Sequence, residues 1–282
     1  MNKKFLFVIF LIFALGIAVL LYPFVSAIIS KKTSTAAVED YQSTVKIIDT
    51  DTCDKMLADA QSYNAKLAGG TNNAAPYDAD SRESAAYLSL LNVDGVMGYL
   101  DIPSIEIHLP IYHGVSEETL QKGVGHLPES SVPVGGSETH AVLSAHCGLP
   151  NARLFTDLDR LQRGDLFFVH VLTMTLAYQI DQIEVVLPEE VETLAVIPGG
   201  DFITLLTCTP YGINSHRLLV RGTRVPYVPE ITDTVSDVPV KAPCETPTPS
   251  VPWLYFAVPA GIVPLMLLIL YVRKKRNKSK KE

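Results

Sequence analysis

Apolar residues in this chain fall into three textures, each of which predicts a different kind of element. Phe5 to Ile29 and Trp253 to Val272 are uninterrupted apolar runs without a charge. The first exceeds the roughly 20 residues that a spanning helix needs, and the second just meets that length despite Pro259 and Pro264. From Ala36 to Leu67 the apolar positions Val38, Tyr41, Val45, Ile48, Met56, Ala60, Tyr63 and Leu67 recur mostly at steps of three and four, which predicts an amphipathic helix or a pair of them ended by Gly69-Gly70. From Val96 onward short apolar runs are broken by Gly and Pro every few residues. Gly95–Ile102, Ile105–Tyr112, Thr139–Ala145, Asp165–Leu172, Leu176–Val186, Asp201–Thr207 and Arg217–Arg224 read as about seven strands, the count of an all-β barrel or sandwich.

The stretches between carry their own signals. Thr71 to Ser84 is polar and holds Asn72-Asn73 and Pro76, so it reads as a loop. Residues 226–252 hold seven prolines among Thr and Val, an extended and semi-rigid linker. The layout is then an N-terminal anchor over 1–30, a helical segment with its loop over 36–90, a β domain over 91–225, the linker, a second span over 253–272 and a basic tail over 273–282.

Charge orients this layout. The tail beyond Val272 has seven basic residues, whereas the other flank of the second run has only Lys241 nearby, so the C-terminus is expected in the cytoplasm. Lys3 and Lys4 on one side of the first run are balanced by Lys31 and Lys32 on the other. Two spans with a cytoplasmic C-terminus put the N-terminus inside as well and the β domain outside. A cleaved signal peptide ending near Val25-Ser26-Ala27 is the alternative for the first run, and it too exports the β domain. Removing Lys3, Lys4 (+2) and residues 273–282 (+6) from the formal charge of −7 leaves −15 for residues 5–272. That acidity argues against nucleic acid as a partner.

The stretch with candidate chemistry is Thr204 to Gly222. Its two apolar runs flank Pro210, Gly212 and Asn214, and a hairpin there places Cys208 at the end of one strand and Arg217 at the start of the next. A thiol beside a guanidinium is in an electropositive setting that favours the thiolate. On composition alone a cysteine at an apolar strand end is more often a small buried core residue. The seven histidines, at 108, 113, 126, 140, 146, 170 and 216, cannot be ranked by spacing, apart from the nearness of His216 to Arg217. No His-x3-His or Cys-x2-Cys pair marks a metal site, and no cofactor motif is present. Four cysteines, at 53, 147, 208 and 244, are too few for a disulfide scaffold.

Thr-Leu-Leu-Thr-Cys at 204–208 followed by Arg217, Ser-Ala-His-Cys-Gly-Leu-Pro at 144–150, and the Tyr-His-Gly and Gly-His-Leu-Pro elements at 112–114 and 125–128 together resemble the class C, pilus-building sortases. The resemblance covers about Val96 to Arg224. It implies a mainly β fold: an eight-stranded sortase-type barrel with short helices, for which Ser116–Lys122 and Glu189–Ala195 are candidates, joined to the N-terminal helical segment and the two transmembrane helices.

It also implies a membrane-anchored cysteine transpeptidase. Cys208 would be the nucleophile, His146 the general acid and base, and Arg217 the stabiliser of the oxyanion. The substrate would be an LPxTG-like sorting signal cut between Thr and Gly, and the acceptor a lysine amine of a second pilin subunit. Attachment of proteins to peptidoglycan and a non-enzymatic surface scaffold are the alternatives. Class C relatives resemble one another in a lid bearing an Asp-Pro-aromatic motif, and the corresponding text here, Pro76-Tyr77-Asp78-Ala79-Asp80, offers only Asp78 with Tyr77 as the ring. The family's Arg after the catalytic His is Cys147 here, which places a second thiol near Cys208 and makes a reversible disulfide between them conceivable.

Overall fold

A computed structural model describes residues 3–69, 84–149, 152–190 and 192–228. The lid text with Asp78 and Tyr77, most of the linker, the second apolar run and the tail lie outside the described residues.

Helix α1 (Lys3–Ile47) changes character along its length. From Phe10 to Leu21 it is apolar on every side and exposed, with Phe10, Phe13 and Leu20 all about half exposed or more. From Ser34 onward the buried positions are Ser34, Val38, Tyr41 and Val45, the stripe of a helix lying on a protein surface. Helix α2 (Thr50–Ala68) starts where Asp49 accepts a hydrogen bond from Thr52 N at 2.9 Å, and ends at Gly69. The amphipathic stretch is therefore a pair of helices, the first of them continuous with the apolar run.

Polar clamps fasten these helices to the β domain. Tyr41 Oη donates to Met97 O and accepts from Leu172 N. Asn64 donates to Val132 O at 3.0 Å and accepts from Val132 N at 2.8 Å, so both ends of one buried side-chain amide are satisfied by one residue.

The β domain is a closed barrel of eight strands: β1 (Val96–Ile102), β2 (Ile107–His113), β3 (Val124–His126), β4 (Thr139–Ser144), β5 (Leu166–Val171), β6 (Met174–Val186), β7 (Asp201–Thr209) and β8 (His216–Val225). Around the barrel they run β1-β2-β3-β4-β7-β8-β6-β5, and β5 returns to β1. Closure leaves no free edge. Two adjacent pairs, β2 with β3 and β4 with β7, are parallel; the remaining pairs are antiparallel.

Met97, Leu100, Ile111, Leu143, Val169, Leu205 and Val220 are fully buried, as are the rings of Phe155, Phe167 and Tyr178. The seven expected strands all form. The eighth, β3, has three residues, too short to show a period. The second strand begins at Ile107 rather than Ile105, because a 3-10 turn at Pro103–Ile105 and the left-handed Glu106 (φ 54°) precede it.

Short helices complete the fold. α3 (Ala85–Leu88) is capped by Ser84. α4 (Glu117–Lys122) is capped by Ser116, where the sequence predicted it. The helix expected over Glu189–Ala195 is reduced to one 3-10 turn, Glu192–Leu194, which lays Leu194 over Val142, Leu206 and Leu219 on the sheet. His140 holds that connection down: Nδ1 donates to Ala195 O at 2.9 Å, which leaves Nε2 to accept from Thr204 Oγ1 at 2.7 Å.

His126 is fully enclosed. Its Nε2 donates to Ser131 O at 2.8 Å, and its Nδ1 lies 2.9 Å from Tyr87 Oη, which also reaches His126 O at 3.1 Å. Burial pushes its pKa from 6.5 down to about 4. The unfolded chain therefore binds the proton first, and stability that is full above pH 6.5 declines as pH falls towards 4, by about 1.4 kcal/mol per unit. Burial moves His113 and His140 in the same direction. Asp101 raises His108 and gives an opposite contribution, lost as pH rises through its folded value. Thermal melting of the full-length protein in detergent at pH 7 and pH 4.5 is expected to show the lower Tm at pH 4.5, with much of the difference removed by His126→Gln.

Candidate active site

The candidate residues meet at one rim of the barrel through the pairing of three strands. β4 and β7 run parallel, with Ser144 opposite Leu206. Past the end of β4 the two chains stay fastened: Ala145 N donates to Leu206 O at 3.2 Å, and Thr207 Oγ1 donates to Ala145 O at 2.7 Å. Extending that register by two residues sets His146 beside Cys208. On the other flank β7 and β8 are antiparallel, with Cys208 opposite Arg217 and Thr209 opposite His216. Neighbouring register positions share a face of a sheet. His146, Cys208 and Arg217 thus stand in a row across adjacent strand ends although 71 positions separate the first from the last in the chain.

Each position is fixed locally. Cys208 is half-buried and its thiol is free. The turn after it, 210–215, closes with Ile213 N and Asn214 N both donating to Pro210 O. Arg217 Nη1 donates to Asn214 O at 3.3 Å and His216 O at 3.1 Å, so backbone carbonyls hold one edge of the guanidinium. A guanidinium has five N–H donors, and these two bonds engage only its Nη1.

His146 is held through its main chain, where its carbonyl accepts from Phe155 N at 3.1 Å and Phe155 is fully buried. Its Nε2 is shielded from solvent and lies 3.3 Å from Glu117 Oε2 at the start of α4. The distance is that of an ion pair, while the alignment is too poor for a hydrogen bond.

The following turn packs against the one after Cys208. Gly148 has φ +82°, and a Cβ there would lie 2.9 Å from the Tyr211 ring, so both backbone freedom and space require glycine. Cys147, between them, is half-buried and free; burial pushes its thiol up, and Asp159, Cys208 and Asp157 add to the effect. Cys147 and Cys208 are both free thiols, so no disulfide joins them in this structure.

The other histidines are engaged elsewhere. His113, His126 and His140 are buried among barrel contacts, and His108 and His170 both bond the Asp101 carboxylate. His216 turns to Ser215 Oγ at 2.8 Å. Among the described residues no group of three or more His, Cys, Asp or Glu is placed to hold a metal ion. Asp78 and Tyr77 fall outside the described residues. Sequence reasoning did not find Glu117: Gln121 one turn on marks a helical pair, but nothing in the sequence ties that pair to His146.

A thiol, an imidazole and a fixed cation at one solvent-accessible rim are the groups needed for acyl transfer through a thioester. Comparison with known proteins agrees with that chemistry. The sortase domain family matches residues 100–225. The chain is 32% identical to sortase A of Streptococcus agalactiae serotype III over 142 residues, which are 47% of this chain and 57% of that protein. It is 26% identical to sortase D of Bacillus subtilis over 186 residues, 64% of this chain and 88% of that protein. Among solved structures, sortase C1 of GBS pilus island 1 superposes with a TM-score of 0.65 at 49% identity, covering 70% of this chain and 94% of that one. Sortase C of Streptococcus pneumoniae does so with a TM-score of 0.63 at 45% identity, covering 68% and 97%.

Proposed function

The chain belongs to the sortase family, on its class C side, and on that premise we propose that it is a membrane-anchored cysteine transpeptidase that joins pilin subunits outside the cell. The observation that carries this reading is the row His146, Cys208, Arg217 across three adjacent strand ends. The Cys208 thiolate attacks the carbonyl carbon of Thr in an LPxTG-like signal. The carbonyl π pair moves to oxygen, where the guanidinium of Arg217 receives the charge. The tetrahedral intermediate collapses by breaking the Thr-Gly C–N bond, and His146 delivers a proton to the departing glycine amine. A lysine amine of the next subunit then attacks the thioester and loses its proton to His146. The thiolate leaves, and an isopeptide bond remains.

The exposed apolar stretch of α1 supports anchorage in the membrane. The second span at Trp253–Val272, the tether before it and the lid with Asp78 and Tyr77 belong to the same proposal and rest on the sequence.

The test is mass spectrometry of the full-length protein in detergent with an LPxTG peptide, followed by addition of a purified pilin. A thioester on Cys208 and then ladders of linked pilin are expected. Transfer only to peptidoglycan-type amines would instead indicate wall attachment, and no adduct at all would indicate a scaffold. Arg217→Ala is expected to lower the rate of thioester formation about 10² to 10³-fold, the cost of one lost oxyanion donor. Arg217→Lys, which keeps the charge but not the fork, is expected to fall between the two.

A further inference from the structure

The contact between His146 and Glu117 is not accounted for by the steps above. We propose that Glu117 is a positioning residue for His146, holding the proton of the neutral ring on Nε2 so that Nδ1 is the nitrogen that exchanges protons with the reacting groups. The inference deepens the transpeptidase reading and rests on it for its consequence, though not for its geometry.

The carboxylate is divided between two partners. Glu117 Oε1 accepts from Gln121 Nε2 at 2.8 Å, one helical turn along α4. This bond turns Oε2 toward His146 Nε2, 3.3 Å away. The capping bond from Thr119 N to Ser116 Oγ fixes where α4 begins, and so where residue 117 stands. On the side of His146, Nε2 is out of contact with solvent and has no hydrogen-bond partner. A buried ring nitrogen facing a carboxylate oxygen is stable as N–H and unstable as a bare lone pair, because two lone pairs would then face each other. The carboxylate thus selects the Nε2–H tautomer. The approach is not yet in line, which is common for catalytic hydrogen bonds before substrate arrives.

The same arrangement bears on charge. When His146 takes up the lysine proton, Glu117 lies beside the new cation. The other ionisable groups that the strand register brings to this rim are Cys208 of β7 and Arg217 of β8, with Cys147 next in the chain and Asp157 and Asp159 acting on Cys147. Of these, Glu117 is the carboxylate in contact with the ring. Because its side chain is 68% exposed, water weakens the attraction, and the effect on rate is expected to be moderate.

Full-length protein with 15N-labelled histidine rings tests the idea, with His146→Gln assigning the signals. The neutral His146 ring is expected as the Nε2–H tautomer in the wild type and as a mixture in Glu117→Ala. In Glu117→Gln, whose single amide oxygen is shared between Gln121 and His146, a smaller excess of the Nε2–H form is expected. With sorting peptide, Glu117→Ala is expected to lose about tenfold in kcat with KM within twofold. Glu117→Gln should recover part of the rate. Gln121→Leu, which frees the carboxylate, is expected to lose less than Glu117→Ala. A wild-type ring protonated on Nδ1, or a tautomer that Glu117→Ala leaves unchanged, overturns the proposal. A wild type that forms no acyl-enzyme overturns the transpeptidase reading instead, and the ring populations still decide the role of Glu117.

Discussion

Cys208→Ala is expected to abolish acyl-enzyme formation, with no 208 adduct by mass spectrometry and no linked pilin. The loss should be complete because the only other thiol at this rim among the described residues is a poor substitute. Burial and the acids around it push the Cys147 thiol up, so it stays protonated where a thiolate is needed. The register that sets a side chain beside His146 and opposite Arg217 belongs to position 208. The complementary variant, Cys147→Ala, is therefore expected to keep the adduct. The fold should survive in both, since each side chain is half-buried and small, and truncating it removes about 1 kcal/mol at most. An acyl group found on Cys147 in the Cys208→Ala protein would sink the assignment.

The second large effect is expected at His146. An imidazole that gives a proton in one half-reaction and takes one in the other contributes twice, so His146→Ala should lower transfer to pilin by about 10³ to 10⁴, the upper part of the range for a general acid–base group. That exceeds the loss expected for Arg217→Ala, whose single task is to receive charge. The substitution should leave the backbone in place, because the bond anchoring this residue runs from its own carbonyl to Phe155 N and does not involve the ring. Single-turnover kinetics separates the two half-reactions: both thioester formation and its aminolysis should slow in His146→Ala. If aminolysis alone slowed, another group would be protonating the leaving amine.

The sequence made some of this arrangement readable and hid the rest, for reasons of range. Seven strands announced themselves by apolar runs between Gly and Pro. The pairing of Cys208 with Arg217 was also readable, because a short hairpin carries its own register. β3 was not, since three residues show no period, and it is held by a parallel neighbour on one side. Parallel pairing is also why no local pattern placed His146. β4 meets β7 after an excursion of some 60 residues through β5 and β6, and only the resemblance to class C sortases singled this histidine out from seven. The Glu189–Ala195 stretch shrank to a 3-10 turn because Leu194 and the carbonyl of Ala195 are claimed by the sheet beneath. Glu117 left no trace at all, its partner being 29 positions away on a different element.

The continuity of α1 through Pro23 has a geometric consequence. From Ile29, where the apolar run ends, to Val38, the first fully buried position against the barrel, the helix advances nine residues, a rise of about 14 Å. With the anchor proposed above, a rod of that kind would set the altitude of the barrel over a bilayer, and its azimuth too, in a way that a coil of equal length would not. Inserting two residues there would turn the barrel by about 200° and lift it by about 3 Å. The rim would then face away from whatever arrives along the surface, although no side chain in it had changed.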